Sequence, residues 1–223
     1  MKSLVFKAKG SYARFRKSYT TTSALTYLLI HPIAVRGLIG AVLGIDKNDL
    51  YEETKDIEVA IQVINEVRKD MQSFNLLNMK SNDKIFRFPS NVEFLRDVEY
   101  RIFIKCNDEK LNKIKDTLIS GEFIFTPYLG ASEHVAKIEY ENTYDIEPIE
   151  DDCLVDSAVD INYCEIDFEY DNLILSTDNI PVKNNKQREY TEYKKVIFAT
   201  KNKRIKVISN KCNKVGKYNV MFI

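Results

Sequence analysis

The chain of 223 residues contains no tryptophan, two histidines, five prolines and seven glycines. Two imidazoles leave little room for a metal centre or an acid–base site built on histidine. Its four cysteines, Cys106, Cys153, Cys164 and Cys212, are scattered without a C-x-x-C pair. That excludes the spacing of a zinc site and signals no disulfide framework, so they read as reduced thiols of a cytoplasmic protein. Neither a Walker sequence nor a dinucleotide fingerprint occurs, and no cofactor or metal is expected. Internal repeats and low-complexity segments are also lacking.

One long apolar run is present, Ala24 to Ile45, "ALTYLLIHPIAVRGLIGAVLGI". Its 22 residues could cross a bilayer, but Arg36 near the centre of a spanning helix costs roughly 2.5–3.5 kcal/mol. Pro32 also breaks the run and leaves a stretch that suits a buried helix. The 45 N-terminal residues hold seven Lys and Arg and no acid, as a transit peptide might. Yet "LVFKAKG" sets Leu4, Phe6 and Ala8 against Val5, Lys7 and Lys9, a period of two that belongs to a half-buried strand. No small-residue cleavage site follows. Residues 1–45 are read as part of the mature fold, with no membrane partner.

Charge is balanced in sum but not along the chain. Residues 139–182 carry 14 acids and no base, and residues 183–223 carry 12 bases and two acids. Basic ends suit a phosphate backbone and an acidic block suits a basic protein neighbour; the alternative is that the blocks neutralise each other inside one fold.

The expected element order is β-α-β-β-α-β. A strand runs over about Ser3–Gly10, then a polar loop, then a helix from about Ile33 to Leu43. An extended region follows with Val59, Ile61 and Val63 alternating. Next come a protruding, Asn/Asp/Pro-punctuated segment and the strand "EYRIFIKC". A helix over about Asp108–Ser120 is capped by Asn107 or Asp108 and ended by Gly121. "EFIFTPYLG" is expected as the fourth strand and a turn. The order is that of a ferredoxin-like or RRM-like α+β domain, expected over residues 1–145, with a β-rich part over 146–223. There "KKVIFATKNKRIKVISNK" reads as a hairpin with a strongly basic turn. Gly37, Gly40 and Gly44 lie on one helical face and are read as close packing of helix on sheet; a KH-type clamp fits poorly, because Leu38 and Ile39 are apolar.

The loop "SYARFRKSYTTT" interleaves cations with rings. Arg14, Arg16 and Lys17 can contact phosphates, Phe15 and Tyr19 offer stacking faces, and Thr20, Thr21 and Thr22 offer hydroxyls. Single-stranded nucleic acid is held by this pairing of phosphate attraction and base stacking; the alternative is a solvated loop with Phe15 tucked into the core. His134 is the better of the two histidines for proton transfer, although a lone histidine is more often structural. Glu150, Asp151 and Asp152 read as solvated carboxylates.

The series "FKAKGSYARFRKSYTTTSALTYLLIHPIAVRGLIGAVLGID", with "FNLLN", "FLRDVEYRIFI" and "YLGASEH" downstream, resembles CRISPR-associated protein family five. Its wording is most similar to the type I-B branch. The resemblance covers about residues 3–140. It implies a RAMP-type ferredoxin-like domain with a thumb hairpin at about residues 77–93, whose Lys80, Lys84 and Arg87 with Phe86 and Phe88 would face RNA. It adds Gly10, Tyr27, Arg36, Asn75, Asn78, Gly130 and Ser132 as RNA-facing positions. The implied function is a noncatalytic subunit holding the 5′ handle of the crRNA. Its implied partners are a multi-copy Cascade backbone subunit, the large subunit and, indirectly, target DNA. The other reading is a metal-independent endoribonuclease, as in the type I-C branch, but no convincing Lys-His grouping is found for it.

Overall fold

A computed structural model describes residues 1–20, 24–77, 87–170 and 173–223. Strand β1 (Lys2–Ala13) lies near the middle of the main sheet, antiparallel to β4 (Arg87–Lys105) on one side and β5 (Lys137–Pro148) on the other. The 19 residues of β4 serve two neighbours end to end. Its C-terminal half pairs with β2 (Glu58–Val63) and its N-terminal half with β3 (Arg68–Leu77). Beyond β5 the sheet continues into the hairpin β12 (Cys212–Val215) and β13 (Tyr218–Met221), giving the order β13-β12-β5-β1-β4-β2.

Alternation in β1 sends Leu4, Phe6 and Ala8 to the face covered by α1 (Pro32–Leu43) and α3 (Asp108–Ser120), where they join Val35, Ile39, Leu111 and Ile114 in the largest core cluster. The helices stop and start on local chemistry. The His31 imidazole accepts from the Ala34 N–H at 3.2 Å, and Gly44 ends α1 in the left-handed region at φ 69°. The Asn107 side chain accepts from the Lys110 N–H at 2.8 Å, and Gly121 ends α3 at φ 71°. Truncating a fully buried residue of this layer, such as Ile114, to alanine would cost about 2–5 kcal/mol. The other face of β1 is not fully open as expected: Val5 packs with Ala60 and Phe103 under Val215, Tyr218 and Val220.

Several expectations need correction. "EFIFTPYLG" is not a strand. Phe125 donates to the Ala41 carbonyl at 3.0 Å, so the segment docks on the end of α1, and the strand beside β1 is β5. Alternating acids in "KIEYENTYDIEP" obscured it. Gly40 faces α2 (Leu50–Thr54), a helix not anticipated, instead of the sheet: a Cβ there would stand 2.3 Å from Leu50 Cδ1. A Cβ on Gly37 would meet nothing within 4 Å. The basic hairpin near the C-terminus is also absent. Its limbs, β10 (Tyr190–Ala199) and β11 (Ile205–Ser209), belong to different sheets. β10 lies between β7 (Val159–Asp160) and β9 (Leu175–Asn184), and β11 between β6 (Asp151–Val155) and β8 (Glu165–Ile166).

The expected domain boundary at residue 145 falls inside β5. Later chain also closes the edge of β2, with Ala158 and Ile223 donating to the carbonyls of Ile61 and Val59 at 2.8 and 2.9 Å. Among the described residues no helix is long and apolar enough to cross a membrane.

Candidate functional site

After Ala13 the chain turns off the sheet and folds back on itself. Tyr27 donates to the Phe15 carbonyl at 2.8 Å, Lys17 to that of Leu25 at 2.9 Å, and Phe15 N–H to the Thr26 hydroxyl at 2.8 Å. The returning limb then lies on β4: Ala24 bridges Val92, and Glu93 donates to the Ala24 carbonyl at 3.0 Å. The buried Glu93 carboxylate accepts from Thr26 N–H at 3.0 Å and from the Lys69 ammonium at 2.8 Å. The basic loop and the β3–β4 ribbon are therefore neighbours, stitched together through one carboxylate.

From the other side the loop is braced by residues 127–136. Arg14 donates to the Leu129 carbonyl at 3.0 Å. Gly130 has φ 88°, and a Cβ there would stand 1.9 Å from the Arg14 carbonyl oxygen, so a side chain is excluded by both conformation and contact. Gly10 meets the same loop, its hypothetical Cβ lying 2.9 Å from Leu129 Cδ1. Thus Gly10, Arg14 and Gly130 come together, and the exposed Ser132, donating to Glu133 at 3.3 Å, rides on the same loop.

Three expected contacts are turned inward. Phe15 is 2% exposed and sits in the main core, so its ring offers no stacking face; the alternative reading of it holds. Tyr27 is fully buried, and burial raises its phenol well above the usual tyrosine range. The Arg36 guanidinium donates to the Ile57 carbonyl at 2.9 and 3.1 Å and to that of Val182 at 3.1 Å, which ties α1 to the residue preceding β2 and to β9. Lys17 is also committed. Its ammonium meets Asp178 Oδ1 at 2.8 Å, while Asp178 Oδ2 accepts from Leu28 N–H at 2.8 Å. Burial opposes the Lys17 charge, but the Asp178 carboxylate outweighs it and holds the ammonium above its ordinary value.

Arg16 and Tyr19 are exposed, Tyr19 by 62%, and Thr20 caps a turn by donating to the Lys17 carbonyl at 2.9 Å. On the ribbon Asn75 and Arg87 are exposed opposite Pro89 and Leu77. Thr21, Thr22, Asn78, Lys80, Lys84 and Phe86, with most of the expected hairpin tip, lie outside the described residues.

Sequence reasoning missed a ring cluster at the foot of the ribbon. Phe94 contacts Tyr12, Phe74 and His134 with centroids 6.2, 6.0 and 5.4 Å away, and Arg14 lies over its ring at 5.9 Å. Burial depresses Arg14 and His134 alike, and Arg14 and Arg16 repel one another. His31 is buried at the helix cap, where desolvation lowers it to about 3. No local signal marks this cluster, since Tyr12, Phe94 and His134 are far apart in the chain.

The family model described as CRISPR-associated protein (Cas_Cas5) matches residues 3–195. A solved chain described as a CRISPR RNA-guided surveillance complex is 14% identical, with a TM-score of 0.58 over 92% of this chain and 91% of that one. A CRISPR protein from Archaeoglobus fulgidus is 11% identical, with a TM-score of 0.61 over 99% and 98%. A chain of the type III-B Cmr-beta complex bound to cognate target RNA and AMPPnP is 12% identical, with a TM-score of 0.52 over 94% and 86%. No curated protein matches the chain. At such identities the solved structures speak for the fold, while the family match spans most of the sequence, and the chain belongs to the CRISPR-associated protein (Cas_Cas5) family.

Proposed function

We propose that this chain is a noncatalytic RNA-binding subunit of a type I CRISPR surveillance complex, of the I-B branch, which caps the 5′ handle of the crRNA. The order β5-β1-β4-β2 with α1 and α3 on one face supports a ferredoxin-like RAMP domain, and β3 with the N-terminal half of β4 supports a thumb. The observation that carries the reading is the stitching of the basic loop to this ribbon through Ala24–Val92 and Thr26–Glu93–Lys69. Arg16 and Tyr19 are exposed on the loop, and Asn75 and Arg87 on the ribbon joined to it, which supports a path for a strand along both. A strand lying there would have phosphates on the guanidiniums and a base on Tyr19, worth about 1–3 kcal/mol per stacked base. The proposed partners are the crRNA handle, a multi-copy backbone subunit and a large subunit, in the cytoplasm.

A binding role is favoured over cleavage by how the histidines are used. His31 caps a helix, and His134 is wedged between Tyr12 and Phe94 with its Nε2 lacking a hydrogen-bond partner among the described residues. The experiment is incubation of the purified chain with repeat RNA in EDTA, with anisotropy measured on a labelled handle. Saturable binding without a cut is expected; a single cut abolished by His134→Ala would replace this reading with the endoribonuclease one.

A further inference from the structure

On the sheet face away from α1 and α3, a cleft of about 540 Å³ opens between β4 and the C-terminal chain. That is the size of a small-ligand site. It is distinct from the basic loop and the ribbon, and the stretch 201–204, whose basic character stands out in the sequence, contributes three of its lining residues.

The floor is prepared. Arg101 sits 4.6 Å over the Tyr218 ring, donates to both Glu141 oxygens at 2.8 and 3.0 Å and to Gln62 Oε1 at 2.6 Å; Gln62, 3% exposed, donates to Asn202 Oδ1 at 2.9 Å. The rim carries cations. Lys203, Arg204 and Lys217 line it, and among the described lining residues Asp156 is the carboxylate, taking Arg204 Nε at 3.0 Å and the Asn219 N–H at 2.9 Å. Tyr170 presents a ring that is 37% exposed. Cations on one rim, an accessible ring and two amides at the floor match the parts of a nucleotide: a phosphate, a stacking base and a polar base edge.

We propose that this cleft binds a single nucleotide, with its phosphate at Arg204 and Lys217 and its base against Tyr170. The same chemistry is presented by a free nucleotide and by one residue of a single strand, and the test separates them. Because the chain has no tryptophan, Tyr170→Trp places a unique fluorophore at the site. Its emission is titrated with adenosine monophosphate and with an unlabelled handle-length oligoribonucleotide, while anisotropy on a labelled copy reports strand binding independently.

Saturable quenching is expected, by the mononucleotide if the ligand is free and by the oligonucleotide alone if it is a strand residue. Adding Lys217→Glu should raise the quenching midpoint about tenfold or more, since a charge-assisted contact is lost, with the thermal melt unchanged. Lys217→Ala takes its place should charge reversal lower the melt. Arg16→Ala should weaken the strand without altering quenching by the mononucleotide. Quenching by neither ligand, or quenching indifferent to Lys217, overturns the proposal. If anisotropy still reports strand binding in that case, the handle-binding reading stands without it; if it reports none, both fall.

Discussion

Arg16 and Lys17 are adjacent cations with different work. The Arg16 side chain is exposed, whereas Lys17 answers a nearly buried carboxylate across 161 residues of sequence. Removing one partner of a buried pair strands the other, so Lys17→Ala should destabilise the chain by about 3 kcal/mol in urea melts. Arg16→Ala should stay within about 0.5 kcal/mol of the parent yet lower the salt slope of RNA binding by about 0.7, the share of one phosphate contact on a single strand. The reverse pattern would show Lys17 to be the phosphate ligand. His31 sets an acid limit. Its folded pKa, about 3, lies below the unfolded value near 6.5, so between those values the unfolded chain binds the extra proton and stability falls as pH falls. His134, also depressed by burial, acts in the same direction. His31→Asn keeps a cap that does not titrate. Between about pH 6.5 and 5, where most carboxylates are still ionised, its stability should fall less steeply than the parent's, by up to roughly 1.4 kcal/mol per pH unit. Parallel curves would mean that His31 is protonated in the fold.

Among elements, the β3–β4 ribbon differs most from its surroundings. The C-terminal half of β4 is buried on both faces, as Ile102, Phe103 and Ile104 show, whereas the ribbon exposes Met71, Phe74, Leu76 and Leu77. Exposed apolar side chains on a two-stranded projection contribute little to folding, because such a ribbon is marginal by itself. The anchoring end is different, since Lys69, Val92 and Glu93 hold the basic loop. Replacing residues 75–89 by a two-residue turn should therefore leave the thermal melt nearly unchanged and weaken handle RNA binding at least tenfold. Full affinity with an unchanged melt would remove the ribbon from the RNA path, and a lowered melt would assign it to the core.

Across the whole molecule, parts of the charge blocks pair with one another. Carboxylates of the acidic stretch take bases from both ends of the chain: Glu139 meets Lys9 at 3.0 Å and Glu141 meets Lys7 at 3.5 Å; Asp156 meets Arg204 at 3.0 Å and Asp167 meets Lys206 at 3.1 Å. At these carboxylates the alternative, pairing within one fold, is what the structure shows. The main core likewise draws on both halves, with Ile180, Val182, Val196, Phe198 and Ile223 packed against residues from β1 and α1. A chain ending at residue 148 would leave that apolar surface uncovered, so it should show no cooperative melt and poor dispersion of its amide resonances. A cooperatively folding fragment would mean two separable domains.

Local patterns were enough for what depends on neighbours in sequence. The period-two face of β1, the limits of α1 and α3 and the ends of α3 at Asn107 and Gly121 follow from residues close to one another in sequence, whereas Gly44, read there as a packing position, is the left-handed cap of α1. The basic loop, too, was legible as a composition. What that composition does was decided only by tertiary contacts, because burial is set by residues far away. Phe15 is drawn into the core, Arg36 is spent on carbonyls 21 and 146 residues distant, and Lys17 is neutralised by Asp178. The fourth strand was hidden for a related reason: the acids that alternate along β5 look like a solvated stretch until Lys7 and Lys9 on the adjacent β1, and Arg101 on β4 beyond it, supply the opposite charge.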